Sequence, residues 1–266
     1  MTLKKLMNLK GRRALVTGAA GHLGTVICET LAEMGAELIL VDLPGQKLRK
    51  LQKALKKNWG TKTWALTCNL ESEVERTCLV GLVKMKIRGL NILINNASLV
   101  GANSLEGWNC PFRGQTLETW RRALEVNLTA GFDLIQKLEP LIRRSAGGNI
   151  INIASYYGVH GPDWRIYRGT KMGNPAAYAV SKGGLIQMTR WLATTLSPNI
   201  RVNAIAPGGI QKGQAKTFIR RYSSGTPLQR LGKVDEFRGS IALLASDLSS
   251  YMTGQILQVD GGRGTW

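Results

Sequence analysis

The 266-residue sequence has few of the residues on which disulfide-bonded, metal-binding and membrane-spanning proteins depend. It contains four cysteines and two histidines, with no Cys-x-x-Cys pair and no Cys/His cluster at the spacing of metal ligands. We therefore expect free thiols in a reducing cytoplasm and no bound metal. No run of about 18 apolar residues occurs, which predicts no transmembrane helix. The basic N-terminus also lacks the apolar stretch of a secretory signal.

Acidic residues are scarce as well. Only 17 Asp and Glu oppose 36 Lys and Arg, which gives a formal net charge of +19. The excess is concentrated in two stretches, 45–62 and 212–238, with seven cations each. Solvated helix faces are the simplest interpretation, and attraction of an anionic substrate or an acidic carrier protein is the alternative. No nucleic-acid-binding motif accompanies the charge, so we expect neither nucleic acid nor membrane as a partner.

Short apolar runs alternate with helical periodicity along the whole chain. Strands are expected at 12–17, 38–41, 62–67, 91–95, 149–154, 200–205 and 255–259. Helices are expected at about 22–35, 71–88, 116–138, 176–196 and 234–245, with one more between the second and third strands. This alternation predicts an α/β fold with one Rossmann-type, doubly wound parallel sheet of about seven strands, helices on both faces, and a single domain over 1–266.

A glycine-rich turn follows the first predicted strand. Its sequence is Thr17-Gly18-Ala-Ala-Gly21-His22-Leu23-Gly24, and a helical pattern begins at once. Glycines here allow a tight turn and a close approach of the backbone to a pyrophosphate, which the helix N-terminus attracts. The strand–turn–helix context therefore predicts a dinucleotide-binding site.

Asp42 ends the second strand, 18 residues beyond Gly24. A carboxylate in this place accepts hydrogen bonds from the ribose 2′-OH and repels a 2′-phosphate, so we expect NAD as the cofactor. A capping Asp in a turn is the structural alternative. Lys47 and Arg49 follow closely and keep NADP open.

Further motifs follow one another in order along nearly the whole chain. They are Thr17-Gly18…Gly24, Asn95-Asn96-Ala97, Asn127, Ser155, Tyr178-x-x-x-Lys182, Pro207-Gly208 and Thr253-Gly254-Gln255…Val259-Asp260-Gly261-Gly262. Their order and spacing resemble the short-chain dehydrogenase/reductase family. The resemblance implies an NAD(P)-dependent oxidoreductase that transfers a hydride between nicotinamide and a secondary alcohol or ketone. It also implies a homotetramer.

The resemblance assigns the catalytic roles to Asn127, Ser155, Tyr178 and Lys182. Tyr178 would move the hydroxyl proton, Ser155 would hydrogen-bond the substrate oxygen, and Asn127 would order a water in the proton relay. Because a phenol with a pKa of about 10 is a poor base at neutral pH, Lys182 would stabilise the phenolate from the same helix face and hold the nicotinamide ribose. The cofactor-binding residues it implies are Gly18, Gly21, His22, Leu23, Gly24, Asp42, Asn69, Leu70, Asn96, Ala97, Tyr178, Lys182, Pro207, Gly208 and Ile210.

A second Tyr-x-x-x-Lys, Tyr167 to Lys171, competes with Tyr178 for the catalytic role. Tyr167 lies 12 residues after Ser155, close to the family's usual separation, whereas Tyr178 lies 23 residues after it. The glycines and proline between them make a poor helix, while the sequence from residue 176 is amphipathic and matches the family's tyrosine helix. We therefore favour Tyr178.

The segment 161–175 then becomes an insertion beside the active site. Its cations and aromatic rings suit a sugar-like or phosphorylated substrate, with a solvated loop or a subunit contact as the alternative. The candidate substrate residues are Arg165, Tyr167, Arg168 and Lys171. Such an insertion is similar to a subgroup associated with bacterial surface-polysaccharide and flagellar sugar pathways. The polar stretch 210–225 is expected to be a substrate lid.

Several positions depart from the family pattern. His22 occupies the place of the middle glycine, Asn69 that of an Asp, Ser98 that of a glycine and Lys212 that of a Thr. None of these departures removes a catalytic group. Two other functions stay open: reduction of 3-oxoacyl groups on an acidic carrier protein, which the basic faces suggest, and a catalytically silent NAD-responsive binding protein, which His22 suggests.

Overall fold

A parallel sheet of seven strands forms the centre of the computed structural model, which describes residues 1–100 and 105–266. The strands are β1 (Arg13–Thr17), β2 (Glu37–Asp42), β3 (Thr63–Thr67), β4 (Ile92–Asn95), β5 (Gly148–Ile153), β6 (Ile200–Pro207) and β7 (Ile256–Val259). Their order across the sheet is β3-β2-β1-β4-β5-β6-β7, and every neighbouring pair is parallel. The predicted doubly wound fold is confirmed, and its strand order reverses between β1 and β4.

Helices cover both faces of this sheet. They are α1 (Leu3–Met7), α2 (His22–Glu33), α3 (Gln46–Trp59), α4 (Glu73–Lys86), α5 (Leu117–Leu124), α6 (Ala130–Arg143), α7 (Ala176–Thr195), α8 (Lys216–Ser224) and α9 (Arg238–Ala245). Side chains of α4, α6 and α7 pack on one face, and those of α2, α3 and α9 pack on the other. Strand β4 is buried along its whole length, as its apolar run Ile92-Leu93-Ile94 indicates.

The long helix expected to end before Pro140 runs further than predicted. Helix α6 continues through Pro140 to Arg143, and a π-helical segment, Glu125–Thr129, joins it to α5. A proline inside a helix removes one backbone hydrogen bond and costs about 3 kcal/mol. Leu141 and Ile142, which lie beyond it, are buried in the core, and their burial outweighs this cost.

Two segments that the sequence presented as loops contain regular structure. The stretch 210–225 includes helix α8, and 161–175 includes a 3₁₀ turn, Trp164–Tyr167. Both elements bury apolar side chains in one small cluster, so packing rather than local helix propensity holds them. Among the residues that the structure describes, no helix has the length and apolar character needed to cross a membrane.

A buried arginine ties α4 to the chain around the π-helical segment. The guanidinium of Arg76 donates hydrogen bonds to Glu125 Oε1 and Asp133 Oδ2, each at 2.7 Å, and to the carbonyl of Leu70 at 2.6 Å. Hydrogen bonds from Lys137 and Arg76 lower the pKa of Asp133 against the effect of its burial. Arg76 thereby connects the helix after β3 with the helix that carries Asn127.

We predict that Arg76→Met lowers the free energy of unfolding by about 3 kcal/mol at neutral pH, because two carboxylates lose a shared buried partner. Urea denaturation measures this loss. The matched control is Arg143→Gln, which breaks the i,i+4 pair with Glu139 on the outer surface and should cost about 0.5 kcal/mol or less. Equal losses in the two variants would contradict the role given to Arg76.

Candidate active site

A cleft of about 840 Å³ lies at the carboxyl ends of the parallel strands. Several residues of its lining lie at strand ends or directly after them: Gly18 follows β1, Asp42 ends β2, Asn96 follows β4 and Pro207 ends β6. The structure brings these predicted residues together in its walls: Gly18, Gly21, His22, Leu23, Gly24, Asp42, Asn69, Leu70, Asn96, Ala97, Ser155, Tyr167, Tyr178, Lys182, Pro207, Gly208 and Ile210.

The glycine-rich turn forms one end of the cleft in a conformation that excludes side chains. Gly18 has a positive φ of 62°, and a Cβ on Gly24 would lie only 2.0 Å from the carbonyl oxygen of Gly18. Helix α2 begins at His22, and the N–H of Thr25 donates a hydrogen bond to the carbonyl of Gly21. The N–H groups of His22, Leu23 and Gly24 are therefore available for an anion in front of the helix.

Asn96 fastens this turn to the end of β4. Its Nδ2 donates to the carbonyls of Thr17 and Gly18 at 2.9 and 3.0 Å, while its own N–H donates to the hydroxyl of Thr17 at 3.0 Å. The N–H of Ala97 donates to the same hydroxyl at 3.1 Å. Asn96 and Ala97 thus hold the cleft floor in shape with their polar atoms.

Asp42 takes part in the turn while it faces the cleft. Its Oδ2 accepts a hydrogen bond from the N–H of Ala20, and its Oδ1 accepts one from Leu43, each at 2.8 Å. The turn-capping role foreseen as an alternative is therefore present. Each carboxylate oxygen retains a second lone pair, so the carboxylate can still accept from a ribose hydroxyl. Asn69, on the next strand end, caps its own turn by accepting from the N–H of Glu71 at 3.1 Å.

Tyr178 and Lys182 project from one face of α7 into the cleft. The Lys182 side chain is only 2% exposed, and its Nζ donates to the carbonyl of Ile153 at 2.8 Å. Loss of water by burial lowers the pKa of Lys182 to about 7. The same Nζ lies 5.8 Å from the centroid of the Tyr178 ring. Burial raises the pKa of Tyr178, and its hydrogen bond with Ser155 acts against that rise.

Asn127 lies in the π-helical segment between α5 and α6, behind the cleft wall. Its Oδ1 accepts from the N–H of Leu99 at 2.6 Å and from the Ser98 hydroxyl at 3.1 Å, and its Nδ2 donates to Ser181 Oγ at 3.0 Å. The side chain is thus fully engaged by protein groups. The N–H of Ala130 bonds to the carbonyl of Glu125, the long spacing that defines a π-helix and that is frequent at functional sites.

The segment 161–175 presents an aromatic ring to the cleft rather than its cations. Tyr167 is buried, its hydroxyl bonds to that of Tyr157, and burial raises its pKa to about 12. Arg165, Arg168 and Lys171 are exposed and lie outside the cleft lining. Arg165 pairs with Asp163, and the carbonyls of Arg168 and Lys171 accept from Arg221 and Asn109. Of the four candidate substrate residues, only Tyr167 lines the cleft.

Sequence reasoning missed part of the cleft wall. The additional residues there are Tyr157, Asn174, Phe218 and Tyr222. Asn174 is 6% exposed, and its Nδ2 has no hydrogen-bond partner in the described part of the chain. The Asn-Pro pair before α7 marks a turn in the sequence, and nothing in it indicates that the amide faces a cleft. Phe218 and Tyr222 follow a helical spacing of four residues, which was the available signal.

Comparisons with known proteins agree with this geometry. The family model described as "Enoyl-(Acyl carrier protein) reductase" matches residues 18–263. A 3-oxoacyl-[acyl-carrier-protein] reductase FabG of Aquifex aeolicus is 30% identical, over 96% of this chain and 98% of that protein. The Pseudomonas aeruginosa RhlG/NADP active-site complex is 29% identical, covers 97% and 98% of the two chains and has a TM-score of 0.85. An NAD+-bound xylitol dehydrogenase is 29% identical, with coverages of 96% and 99% and a TM-score of 0.84.

The fold, the glycine-rich turn and these likenesses define a class of dinucleotide-linked oxidoreductases that act on CH–OH groups. The chain belongs to the short-chain dehydrogenase/reductase family.

The lowered pKa of Lys182 gives a prediction about stability. Between about pH 7 and pH 10.5 the unfolded chain binds a proton at Lys182 that the folded chain has released, so stability rises with pH in this window. Lys182→Met lacks this rise. We expect the stability of the variant relative to the unaltered protein to fall by about 3 kcal/mol from pH 6 to pH 9.

Urea unfolding of both proteins across this pH range is the measurement. Lys57→Met, which changes an exposed lysine of α3, serves as the control and should follow the unaltered protein. Parallel pH profiles for Lys182→Met and the unaltered protein would contradict the pKa given to Lys182.

Proposed function

We propose that this protein is an NAD(P)-dependent oxidoreductase that interconverts a secondary alcohol and a ketone in a polar, sugar-like substrate. One observation carries the proposal: Tyr178, Lys182 and Ser155 meet in the same cleft as the glycine-rich turn. A proton-moving phenol, a cation beside it and an anion-binding helix start are the parts that this reaction needs. The presence of these three groups in one cleft argues against the catalytically silent alternative.

The residues at the turn fit a dinucleotide. A Cβ at Gly24 would lie 2.0 Å from the carbonyl oxygen of Gly18, so glycine lets the turn close tightly and leaves the start of α2 open to a pyrophosphate. Asp42 would accept from the adenosine ribose, Lys182 would hold the nicotinamide ribose, and Pro207 and Gly208 would border the nicotinamide. The bound nicotinamide supplies the hydride acceptor or donor.

The chain's own residues handle the proton. In the oxidation direction the Tyr178 oxygen takes the hydroxyl proton of the substrate, and in reduction it returns that proton to the forming alkoxide. Ser155 orients the substrate oxygen toward Tyr178. Lys182 favours the phenolate by its positive charge, and its pKa of about 7 lets it exchange a proton near neutral pH. The side chain of Asn127 keeps Ser98 and Leu99 beside the cleft. The backbone of its π-helical segment would order a water in the proton relay.

The substrate end of the cleft supports a polar, ring-shaped ligand. Tyr157, Tyr167 and Tyr222 offer aromatic rings, and Asn174 adds a polar side chain to the lining. The similarity to a xylitol dehydrogenase fits such a substrate. From it we propose a place in surface-polysaccharide or flagellar sugar pathways. We propose that 161–175 and 210–225 form the substrate wall and lid of a single domain, and that the protein is a homotetramer. A phosphorylated substrate would meet Lys212, an exposed cation of the cleft lining.

Reduction of 3-oxoacyl groups on a carrier protein is the second candidate function. Two observations favour it: the likeness to the Aquifex aeolicus reductase and the exposed cations of Arg168, Lys171, Lys216 and Arg220, which lie outside the cleft on the two segments that form its wall. Acidic carrier proteins are attracted to such cations. Turnover of an acetoacetyl thioester, with no turnover of polyols, would favour this candidate over the first.

We predict that Tyr178→Phe lowers turnover of any alcohol or ketone that the protein accepts by about 1,000-fold, because the proton loses its carrier. Absorbance of the reduced nicotinamide over a panel of polyols and ketones is the measurement. The matched control is Tyr167→Phe, which removes the hydroxyl of the competing Tyr-x-x-x-Lys and keeps its aromatic ring. We expect its turnover to stay within about tenfold of that of the unaltered protein. Loss of activity in Tyr167→Phe with activity kept in Tyr178→Phe would reverse the assignment.

We also predict that the protein prefers NAD(H), and that Asp42→Asn weakens this preference about tenfold. The reason is that the carboxylate repels a 2′-phosphate, whereas the amide keeps an acceptor without the charge. Dissociation constants for both reduced cofactors, measured by fluorescence titration, test this. A preference for NADP(H) in the unaltered protein would refute it.

A further inference from the structure

A buried arginine near the C-terminus, Arg263, lies beside the substrate side of the cleft. Arg263 is 5% exposed, although it lies three residues from the last residue of the sequence. Its Nη1 donates to the carbonyl of Tyr222 at 2.7 Å, and its guanidinium carbon lies 4.1 Å from the centroid of the Tyr222 ring. Its Nη2 lies 3.7 Å from Asp163 Oδ2. One side chain therefore contacts both α8 and the segment 161–175.

These two contacts reach the cleft through aromatic rings. Tyr222 and Phe218, on α8, both line the cleft, and the Phe218 ring lies 5.7 Å from that of Tyr167 in 161–175. The hydroxyl of Tyr222 accepts a hydrogen bond from the N–H of Gly209 at 2.6 Å. Arg263 is thereby connected both to the substrate wall and to the backbone that follows Pro207-Gly208.

The fit around the guanidinium is close. A Cβ on Gly225, at the end of α8, would lie 2.9 Å from Nη1, so a larger residue there would displace the arginine. Within the described residues, Nε is buried without a hydrogen-bond partner. The neighbouring carboxylate of Asp163 is shared with Arg165.

Such a site is costly for a charged group. A neutral side chain in this place would avoid the desolvation of the guanidinium and the unpaired Nε. The planar guanidinium, however, can donate to a carbonyl and stack on a ring at the same time.

We infer that Arg263 is a positioning residue for substrate binding. It holds α8 and the 161–175 segment against each other, so that Phe218, Tyr222 and Tyr167 form one wall of the cleft. It touches neither the proposed proton carrier nor the turn at Gly18, and it acts through Tyr222. The consequence for the substrate rests on the proposed function, whereas the consequence for α8 does not.

Limited digestion with trypsin tests the effect on α8 directly. Helix α8 contains three trypsin sites, after Lys216, Arg220 and Arg221, and their cleavage requires that the helix open. We expect Arg263→Gln to raise cleavage at these three sites about tenfold in the nucleotide-free protein, as followed by mass spectrometry. Arg88→Gln, which changes an exposed arginine after α4, should leave it unchanged. Arg263→Lys keeps the charge without the planar group, and we expect a cleavage rate between those of Arg263→Gln and the unaltered protein. This variant serves for the measurement if Arg263→Gln does not fold.

Cleavage at the unaltered rate in both Arg263 variants would overturn the inference. Faster cleavage spread evenly over all sites of the chain would overturn it too, because that pattern indicates loss of global stability rather than release of α8.

Kinetics supply the second arm. With any substrate that the panel identifies, Arg263→Gln should raise KM at least about fivefold, while kcat and the Kd for the reduced cofactor stay within about twofold. Equal losses in cofactor binding and in KM would assign Arg263 a general structural role and refute the inference. If the unaltered protein turns over nothing, the proposed function fails, and the digestion result still decides the role of Arg263 in holding α8.

Discussion

The amino group of Lys182 is almost completely buried and donates a hydrogen bond to the carbonyl of Ile153, at the end of β5. That interaction fixes the distance between α7 and the central sheet, and it brings the Tyr178 ring to the rim of the same cleft. Burial of an ammonium group opposes folding, so the surrounding packing must provide the stability that this group removes. The continuous apolar strands and the helices on both faces provide it, and the carboxyl ends of the strands carry the polar groups that face the cleft.

Much of this arrangement could be predicted from the sequence because parallel sheets leave strong periodic signals. Buried strands appear in the sequence as apolar runs. The turn after β1 requires glycine, because a Cβ on Gly24 would collide with the carbonyl oxygen of Gly18. The residues at strand ends were therefore predictable. Tyr178 was favoured over Tyr167 because of helix propensity, and the structure places Tyr178 on a long helix and Tyr167 on a short turn.

The parts that sequence reasoning missed depend on tertiary packing. Helix α8 is stabilised by Phe218 and Tyr222 against Tyr167, a contact between segments about 50 residues apart that no local pattern indicates. The cations of 161–175 were expected to face the substrate, whereas the structure turns them outward because the apolar Ile166 and the Tyr167 ring take the inner positions. The helix was expected to end before Pro140. It continues to Arg143 because Leu141 and Ile142 are buried in the core.

The central claim is that one cleft unites a dinucleotide site with a proton-moving tyrosine. A crystal structure determined in the presence of NAD+ tests it most directly. We expect the pyrophosphate in front of the N–H groups of His22, Leu23 and Gly24, the adenosine ribose on Asp42, and the nicotinamide ribose within hydrogen-bonding distance of Lys182 Nζ. A nucleotide bound elsewhere, or a nicotinamide that lies away from Tyr178, would contradict the claim.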